Sequence, residues 1–201
     1  MTAFWQGAFG DDYTLRNTIT PELVGARCLL WRDILAHIPS PGPTSFLEFG
    51  ANIGSNLKAL ARITPAGLYA VEPNARARVQ LCQSSVAEEV RSGTCAEPNV
   101  PAGFADLAFT SGVLIHIPPE DLPASLAGIH RSARRWIVAI EYFSKEPVEV
   151  PYRGHAGRLW KRDFGSLWLD TFPDLVPLGC GFAWQRMTGL DDLTFWIFAK
   201  R

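Results

Sequence analysis

The sequence lacks the features that mark several large classes of protein. Its net charge is only −1 over 201 residues, so it has no basic surplus of the kind that accompanies nucleic-acid binding. No apolar run approaches the ~20 residues that a membrane-spanning helix needs. The first residues show neither the charged region nor the apolar region of a secretory signal. We therefore expect a cytoplasmic protein that binds neither nucleic acid nor a membrane.

Cysteine is also scarce, and the cysteines are scattered. None of the four belongs to a C-x-x-C pair, so the sequence predicts neither a zinc site nor a disulfide framework, and no other metal site is expected. We expect buried thiols in a reducing compartment. The cysteines are Cys28, Cys82, Cys95 and Cys180.

Apolar residues, by contrast, are abundant. They make up 47% of the sequence, which is enough for one domain over residues 1–201 with a sizeable core.

The most informative stretch is residues 45–74. It opens with an apolar run that predicts a buried strand, which leads into a glycine turn at residues 50–54. Apolar residues at helical spacing follow in residues 55–62, and a second apolar run at residues 68–71 ends at Glu72. The order of strand, glycine turn, helix, strand and acid is that of a Rossmann-type nucleoside site.

Each residue type in this stretch has a physical reason. Gly50 and Gly54 allow positive φ angles and a close approach of the backbone to a ligand. Asn52 stands between them, and asparagine tolerates the left-handed region better than most residues. Glu72 offers two acceptor oxygens to the hydroxyls of a ribose. A tight turn followed by a surface glutamate is the alternative, but the spacing between Gly54 and Glu72 favours a nucleoside site.

The acid within the first strand, Glu48, distinguishes between cofactors. A dinucleotide site reads G-x-G-x-x-G, with a helix N-terminus facing a pyrophosphate. Here the order is E-x-G-x-N-x-G, and an acid at this place would repel a pyrophosphate but suit a cationic amino group or a sulfonium. The pattern resembles motif I of class I S-adenosylmethionine-dependent methyltransferases, in which Glu72 would match the ribose-binding acid. An NAD-dependent oxidoreductase is correspondingly disfavoured.

The rest of the chain extends this α/β pattern. We expect a Rossmann-like class I methyltransferase fold, in which a mostly parallel seven-stranded sheet has helices on both faces and an antiparallel C-terminal edge. Residues 1–43 are interpreted as an N-terminal lid and helix, residues 44–145 as the cofactor-binding core, and residues 146–201 as a substrate segment with the last strands. The alternative for the aromatic lead-in is a plain cover of the sheet. Further predicted elements are a helix at 21–37, strands at 93–95, 104–110 and 136–140, and an antiparallel pair at 181–186 and 193–199.

His116 is the first candidate for proton handling. It follows the fourth strand, at the sheet edge where open α/β proteins place their sites. Its ordinary pKa near neutrality suits a general base on a hydroxyl or an amine. The alternative is a histidine that caps a helix or lies beside the adenine.

Residues 152–164 are unusually rich in charge for a connection between strands. They contain four cations, His155 and three aromatic residues. Since arginine binds carboxylate or phosphate through two parallel hydrogen bonds, the segment suggests a pocket for an anionic small molecule. The alternative is a solvated charged helix in which Asp163 pairs with a neighbour.

Several motifs taken together resemble a narrower family, the pseudaminic acid biosynthesis-associated methylases. They are W…FGDDYTLRN, EFGANIGSNLKAL, VEPN, FTSGVLIHI, EYFS, YRGH and LWKRDFGSLWL, which span the chain from Trp5 to Phe198. The resemblance implies S-adenosyl-L-methionine as methyl donor, S-adenosyl-L-homocysteine as product, and a small metabolite, sugar-related or from another natural-product pathway, as acceptor. Asn52, where other methyltransferases have a glycine, agrees with this family.

The mechanism that the resemblance implies is in-line displacement at the sulfonium methyl, onto an oxygen or a nitrogen. A non-catalytic S-adenosyl-ligand-binding protein of the same fold is the alternative. The aromatic-rich ends allow a homodimer. The predicted cofactor-binding residues are Tyr13, Arg16 and Asn17 for the carboxylate, with Glu48, Gly50, Asn52, Gly54, Asn56, Glu72, Pro73, Ala96, Glu97, Ser111, Gly112 and Val113. The predicted substrate-binding residues are Trp5, Glu141, Arg153, Lys161 and Arg162, and the catalytic candidates are His116, Tyr142 and His155.

Overall fold

The computed structural model describes residues 2–201, in which strands and helices alternate through most of the chain. Such alternation is typical of a parallel sheet with helical crossovers. The strands are β1 (Ser45–Phe49), β2 (Gly67–Val71), β3 (Glu89–Arg91), β4 (Ala105–Ser111), β5 (Ala133–Glu141), β6 (Val148–Glu149), β7 (Trp160–Lys161), β8 (Leu175–Ala183) and β9 (Leu193–Lys200). The helices are α1 (Thr2–Gln6), α2 (Ala8–Arg16), α3 (Pro21–Ala36), α4 (Ser55–Ile63), α5 (Ala75–Ser84), α6 (Leu122–Ser132), α7 (Phe164–Thr171) and α8 (Gln185–Thr188), with a short 3-10 helix at Leu114–His116.

Seven of these strands form one sheet, in the order β3-β2-β1-β4-β5-β9-β8. The first five strands pair in parallel. Strand β9 returns antiparallel between β5 and β8, while β6 and β7 form a separate two-stranded sheet. The predicted mostly parallel seven-stranded sheet with an antiparallel C-terminal edge is therefore confirmed.

Side chains of β1 alternate between two apolar layers, one on each face of the sheet. Phe46 packs in the layer under α3 and α4, where its ring lies 6.1 Å from that of Trp31. Leu47 and Phe49 belong to the opposite layer, which includes residues of α6 and α7. Because successive side chains of a strand point to opposite faces, Glu48 lies on the side of α3 and α4. Among residues 2–201, no helix is both long and apolar enough to cross a membrane.

The structure differs from the sequence-based expectation at two strands. The third strand is Glu89–Arg91 rather than residues 93–95, because the chain turns away at Thr94, whose N–H donates to the carbonyl of Glu97 over 3.0 Å. The strand expected at residues 181–186 ends at Ala183, since Asp192 accepts the N–H of Gln185 over 2.8 Å and a short helix begins there.

Candidate functional site

A cavity of about 700 Å³ opens where the parallel strands β1, β2 and β4 end. We call it the central cavity. Open α/β sheets hold their ligands at this edge, since the loops that follow neighbouring strands meet there. Most of the predicted cofactor residues line it, as do one substrate candidate and one catalytic candidate. The predicted residues in its wall are Trp5, Tyr13, Asn17, Glu48, Gly50, Asn52, Asn56, Glu72, Pro73, Ala96, Glu97, Ser111, Gly112, Val113 and His116.

The turn after β1 has the left-handed backbone that its sequence indicates. Gly50, Asn52 and Gly54 have φ angles of 66°, 47° and 81°. A Cβ at Gly50 would lie 2.7 Å from a methyl group of Val113, so a side chain there would have to displace Val113. Gly54 lies outside the wall, and a Cβ there would be 2.5 Å from Leu81. Gly54 thus lies where α4 packs against α5, and its contact with a ligand stays a prediction.

Glu72 closes this turn from the end of β2. One carboxylate oxygen accepts the N–H of Asn52 over 2.7 Å and the other accepts the N–H of Asn74 over 2.8 Å. Its side chain is buried, which raises the pKa of the carboxyl, while the two backbone N–H groups act against that rise. A carboxylate has about four acceptor positions, so both oxygens can still accept hydroxyls from a ligand in the cavity.

Glu48 and Arg27 face the central cavity and are joined by an amide. Asn56 donates from Nδ2 to Glu48 over 2.6 Å and accepts at Oδ1 from Arg27 over 2.7 Å and from Trp31 over 3.3 Å. The second oxygen of Glu48 is buried without a hydrogen-bond partner. Desolvation raises the pKa of Glu48 to about 8, against the lowering effects of Asn56 and Arg27. The Glu48 carboxyl and the Arg27 guanidinium are therefore linked through Asn56 and not by a direct hydrogen bond.

His116 is held in one orientation at the edge of the central cavity. Its Nδ1 lies 2.6 Å from the carbonyl oxygen of Arg158. Since a carbonyl can only accept, Nδ1 carries the proton and Nε2 keeps the lone pair. The ring packs against Trp5 and Tyr152, with centroids at 4.8 and 4.7 Å. Burial lowers the pKa of His116 to about 4, so the ring is neutral at neutral pH.

The N-terminal helices supply one wall of the central cavity; that they act as a lid stays a prediction. Asn74 ties them to the core, because its Nδ2 donates to the carbonyl of Trp5 over 3.0 Å and to Asp11 over 2.9 Å. On their outer side, the ring of Phe4 lies 5.5 Å from that of His155. Helix α1 therefore contacts the cavity through Trp5 and His155 through Phe4.

Glu141 occupies a different place from the substrate contact that we predicted. Its side chain is fully buried and accepts the backbone N–H groups of Val113, Leu114 and Ile115 at 3.2, 3.1 and 3.3 Å. Desolvation raises the pKa of this carboxyl to about 7. Glu141 thus fixes the loop and the 3-10 helix that lead to His116, and it acts from behind the cavity wall.

Other predicted residues also lie outside the wall of the central cavity. The Arg16 side chain is exposed, with its guanidinium 5.7 Å from the ring of Phe9. Tyr142 donates its hydroxyl to Asp191 over 2.8 Å, and Lys161 lies 5.1 Å from the Tyr142 ring. The structure therefore does not bring the predicted cation cluster to the cavity. The predicted residues outside the wall are Arg16, Gly54, Glu141, Tyr142, Arg153, His155, Lys161 and Arg162.

Several residues of the wall were not predicted. The main one is Arg27. The sequence did indicate it, because Arg27 lies four residues after Leu23 and four before Trp31 on a helix that faces the core. A cation at such a position needs a partner in the interior. In the loop after β3 only Ala96 and Glu97 were predicted, and the start of α6 gave no comparable signal. Other unpredicted residues of the wall include Gly10, Thr14, Asn74, Ser92, Cys95, Asp121 and Ser125.

Comparison by sequence finds no matching family model and no matching curated protein. Comparison by structure finds many matching chains, among them three methyltransferases. A S-adenosylmethionine-dependent methyltransferase from Leishmania major is 15% identical, with a TM-score of 0.75 over 93% of this chain and 80% of that one. The 1,6-didemethyltoxoflavin-N1-methyltransferase from Burkholderia thailandensis, solved with S-adenosylhomocysteine, is 18% identical, with a TM-score of 0.67 over 95% of this chain and 82% of that one.

The third neighbour is the magnesium protoporphyrin IX methyltransferase from Synechocystis, solved with S-adenosylmethionine. It is 12% identical, with a TM-score of 0.67 over 100% of this chain and 95% of that one. At these identities the likeness establishes the fold, and the fold agrees with the strand order of the sheet. The chain therefore has the fold of the class I S-adenosylmethionine-dependent methyltransferases.

Proposed function

We propose that the protein is a S-adenosylmethionine-dependent methyltransferase that acts on a small molecule. The observation that carries the proposal is the placement of two buried acids, Glu48 and Glu72, on either side of a left-handed turn in the wall of one cavity. The structural neighbours include methyltransferases solved with S-adenosyl ligands, which supports the same conclusion.

The residues of the central cavity fit S-adenosylmethionine better than NAD. The carboxylate of Glu72 suits the two ribose hydroxyls, and Ala96 and Glu97 line the side expected for adenine. Glu48 keeps one buried oxygen without a partner. A bound cation would favour the ionised form of this carboxyl, which burial alone disfavours, whereas a pyrophosphate would disfavour it further. NAD-dependent oxidoreductase chemistry is disfavoured for that reason.

When bound, the cofactor supplies a methyl group on a sulfonium, which already contains the leaving group. The chain mainly has to align the acceptor and exclude water. His116 would accept the proton of an acceptor group, because its Nδ1 is committed to Arg158 and its Nε2 keeps a lone pair. Since burial lowers the pKa of the ring to about 4, this weak base suits a hydroxyl, whose oxygen becomes strongly acidic on methylation, better than an amine. The packing of Trp5 and Tyr152 against the ring holds it in place.

We further propose that the acceptor is an anionic metabolite, because residues 152–164 contain four cations. The cations Arg153, Lys161 and Arg162 lie outside the cavity wall. They could contact an anionic group only if that group belongs to a part of the acceptor that extends beyond the cavity. Arg153→Ala should then raise the KM for such an acceptor about tenfold and leave S-adenosylhomocysteine affinity unchanged. Arg131→Ala, at an exposed arginine of α6, is the matched control. Equal KM values for both variants would remove the anionic part of this proposal.

The proposed function is tested by following S-adenosylhomocysteine formation while pools of small hydroxyl- and amine-bearing metabolites are screened as acceptors. We expect one pool to give turnover above the slow background hydrolysis, and His116→Gln to abolish that excess. Tight binding of S-adenosylhomocysteine with no turnover in any pool would favour the alternative, a non-catalytic S-adenosyl-ligand-binding protein.

A further inference from the structure

We propose that Glu141 is a positioning residue for the reaction, which sets through three backbone hydrogen bonds where the ring of His116 lies beside the central cavity. The inference deepens the proposed function and rests on it, since His116 is the proton acceptor of that function. Glu141 itself lies outside the cavity wall, so it acts through the backbone and not by contact with a ligand.

The carboxylate of Glu141 holds three consecutive residues of one loop. Its Oε1 accepts the N–H groups of Val113 and Leu114 over 3.2 and 3.1 Å, and its Oε2 accepts that of Ile115 over 3.3 Å. N–H groups at the start of a helix have no partner within the helix, and here one side chain supplies all three. We call residues 112–116 the base loop, because the proposed base is its last residue.

The residue type at position 141 follows from this task. An amide has one acceptor oxygen, whereas a carboxylate accepts at both oxygens, so only an acid reaches all three N–H groups. The side chain of Glu141 is fully buried, and a buried carboxylate is costly even with its partners. A cost of this kind is expected where a loop has to keep one position.

The base loop leads directly from this anchor to the ring. His116 donates its own N–H to the carbonyl of Val113 over 3.0 Å, so the anchor and the ring belong to the same turn of backbone. Gly112, at the other end of the loop, has a φ of 66° and open space around it, and glycine admits many conformations. The three bonds to Glu141 therefore select one position for His116.

The ring of His116 needs that position to keep its own partner. Its Nδ1 lies 2.6 Å from the carbonyl oxygen of Arg158, and this bond leaves the lone pair on Nε2. A shift of the loop would lengthen the bond and release the ring from this tautomer. Since a misplacement of about 1 Å can lower a rate by roughly 100-fold, the anchor at Glu141 bears directly on proton transfer.

The test is the nitrogen NMR spectrum of the histidine rings in the labelled full chain at neutral pH, with His116→Gln used to assign the signals of His116. In the unaltered protein we expect one neutral form, protonated at Nδ1. Glu141→Gln keeps the shape of the side chain but replaces one acceptor oxygen by a donor, so the two nitrogen signals of His116 should average as the ring leaves Arg158. Glu120→Gln, the same substitution at an exposed acid beyond the base loop, should leave them unchanged.

Turnover gives a second readout, with the acceptor that the metabolite screen identifies. Glu141→Gln should lower kcat roughly 10- to 100-fold and change the KM for S-adenosylmethionine less than about threefold. In a His116→Gln background the same substitution should change kcat less than about threefold, because the residue through which Glu141 acts is already gone. A loss of the same size in both backgrounds would mean that Glu141 supports the fold alone.

The inference is overturned if His116 in the unaltered protein is not protonated at Nδ1, or if its signals are unchanged in folded Glu141→Gln. Glu141→Asp keeps the charge and withdraws both oxygens by one methylene, so it should average the signals in smaller measure, and it decides the matter if Glu141→Gln does not fold. Calorimetric titration of the unaltered protein with S-adenosylhomocysteine separates the two levels. Without binding, the proposed function fails, whereas the nitrogen signals of His116 still report on Glu141.

Discussion

Replacement of Glu72 by alanine tests the ribose end of the central cavity. The buried carboxylate already accepts two backbone N–H groups, at 2.7 and 2.8 Å, and has room for two ribose hydroxyls. A hydrogen bond to a charged group contributes about 1.5–3 kcal/mol. Because water can partly replace the lost acceptor, we expect a total loss of about 3 kcal/mol, which corresponds to a rise of more than ~100-fold in the Kd of S-adenosylhomocysteine.

The assay for Glu72→Ala is calorimetric titration with S-adenosylhomocysteine, accompanied by thermal unfolding to show that the variant is folded. Glu89→Ala is the matched control, since Glu89 lies outside the cavity wall and forms an exposed pair with Arg91 at 2.6 Å. Such surface pairs contribute only about 0–1 kcal/mol to stability, and the control should bind normally. A folded Glu72→Ala variant with unchanged affinity would refute the assignment of Glu72 to the ribose.

Three further predictions concern catalysis, pH and packing. His116→Gln removes the proton acceptor, so kcat should fall by about 10²- to 10⁴-fold while S-adenosylhomocysteine affinity is kept, as steady-state kinetics and titration would show. The folded protein raises the pKa of Glu48 from 4.5 to about 8. The contribution of protonated Glu48 to stability is therefore present below pH 4.5 and is lost as the pH rises to about 8. In denaturant unfolding, the free energy of unfolding of Glu48→Gln should exceed that of the unaltered protein by up to about 4 kcal/mol at pH 9, and should equal it at pH 4. Gly54→Ala should destabilise the fold by about 2–4 kcal/mol, because φ is 81° and the new methyl would lie 2.5 Å from Leu81. Gly112→Ala, at φ 66° with open space around it, should cost only the conformational part, about 1–2 kcal/mol.

Each of these predictions has a result that would count against it. Unchanged kcat in the His116 variant would assign the histidine to structure alone. Parallel pH profiles for Glu48→Gln and the unaltered protein would mean that this carboxyl is ionised in the fold. Equal losses at the two glycines would show that left-handed strain, and not the contact with Leu81, sets the cost.

Local patterns in the sequence predicted the centre of the fold. The buried strands, the turn at Gly50 and Asn52, and the acid Glu72 are adjacent in the chain, and their spacing alone determines which edge of the sheet they share. The antiparallel end of the sheet followed from two apolar runs joined by a short loop. These features depend on short-range geometry, which a sequence displays directly.

The remaining features depend on contacts between distant parts of the chain. Arg27 and Asn56 meet only because α3 and α4 pack on the same face of the sheet. Residues 152–162 reach the cavity only through His116, which Tyr152 and the carbonyl of Arg158 contact. Glu141 looked like a residue of the functional edge because it ends a parallel strand, yet its oxygens are occupied by three backbone N–H groups from the preceding loop. No spacing in the sequence could reveal that a backbone segment would occupy both oxygens of this carboxylate.

The central claim is that the cavity at the ends of β1, β2 and β4 binds an S-adenosyl ligand. The most direct measurement is calorimetric titration of the purified protein with S-adenosylhomocysteine and, separately, with NAD at neutral pH. The account predicts micromolar binding of S-adenosylhomocysteine and no heat of binding with NAD. Binding of NAD with comparable affinity, or of neither ligand, would contradict it.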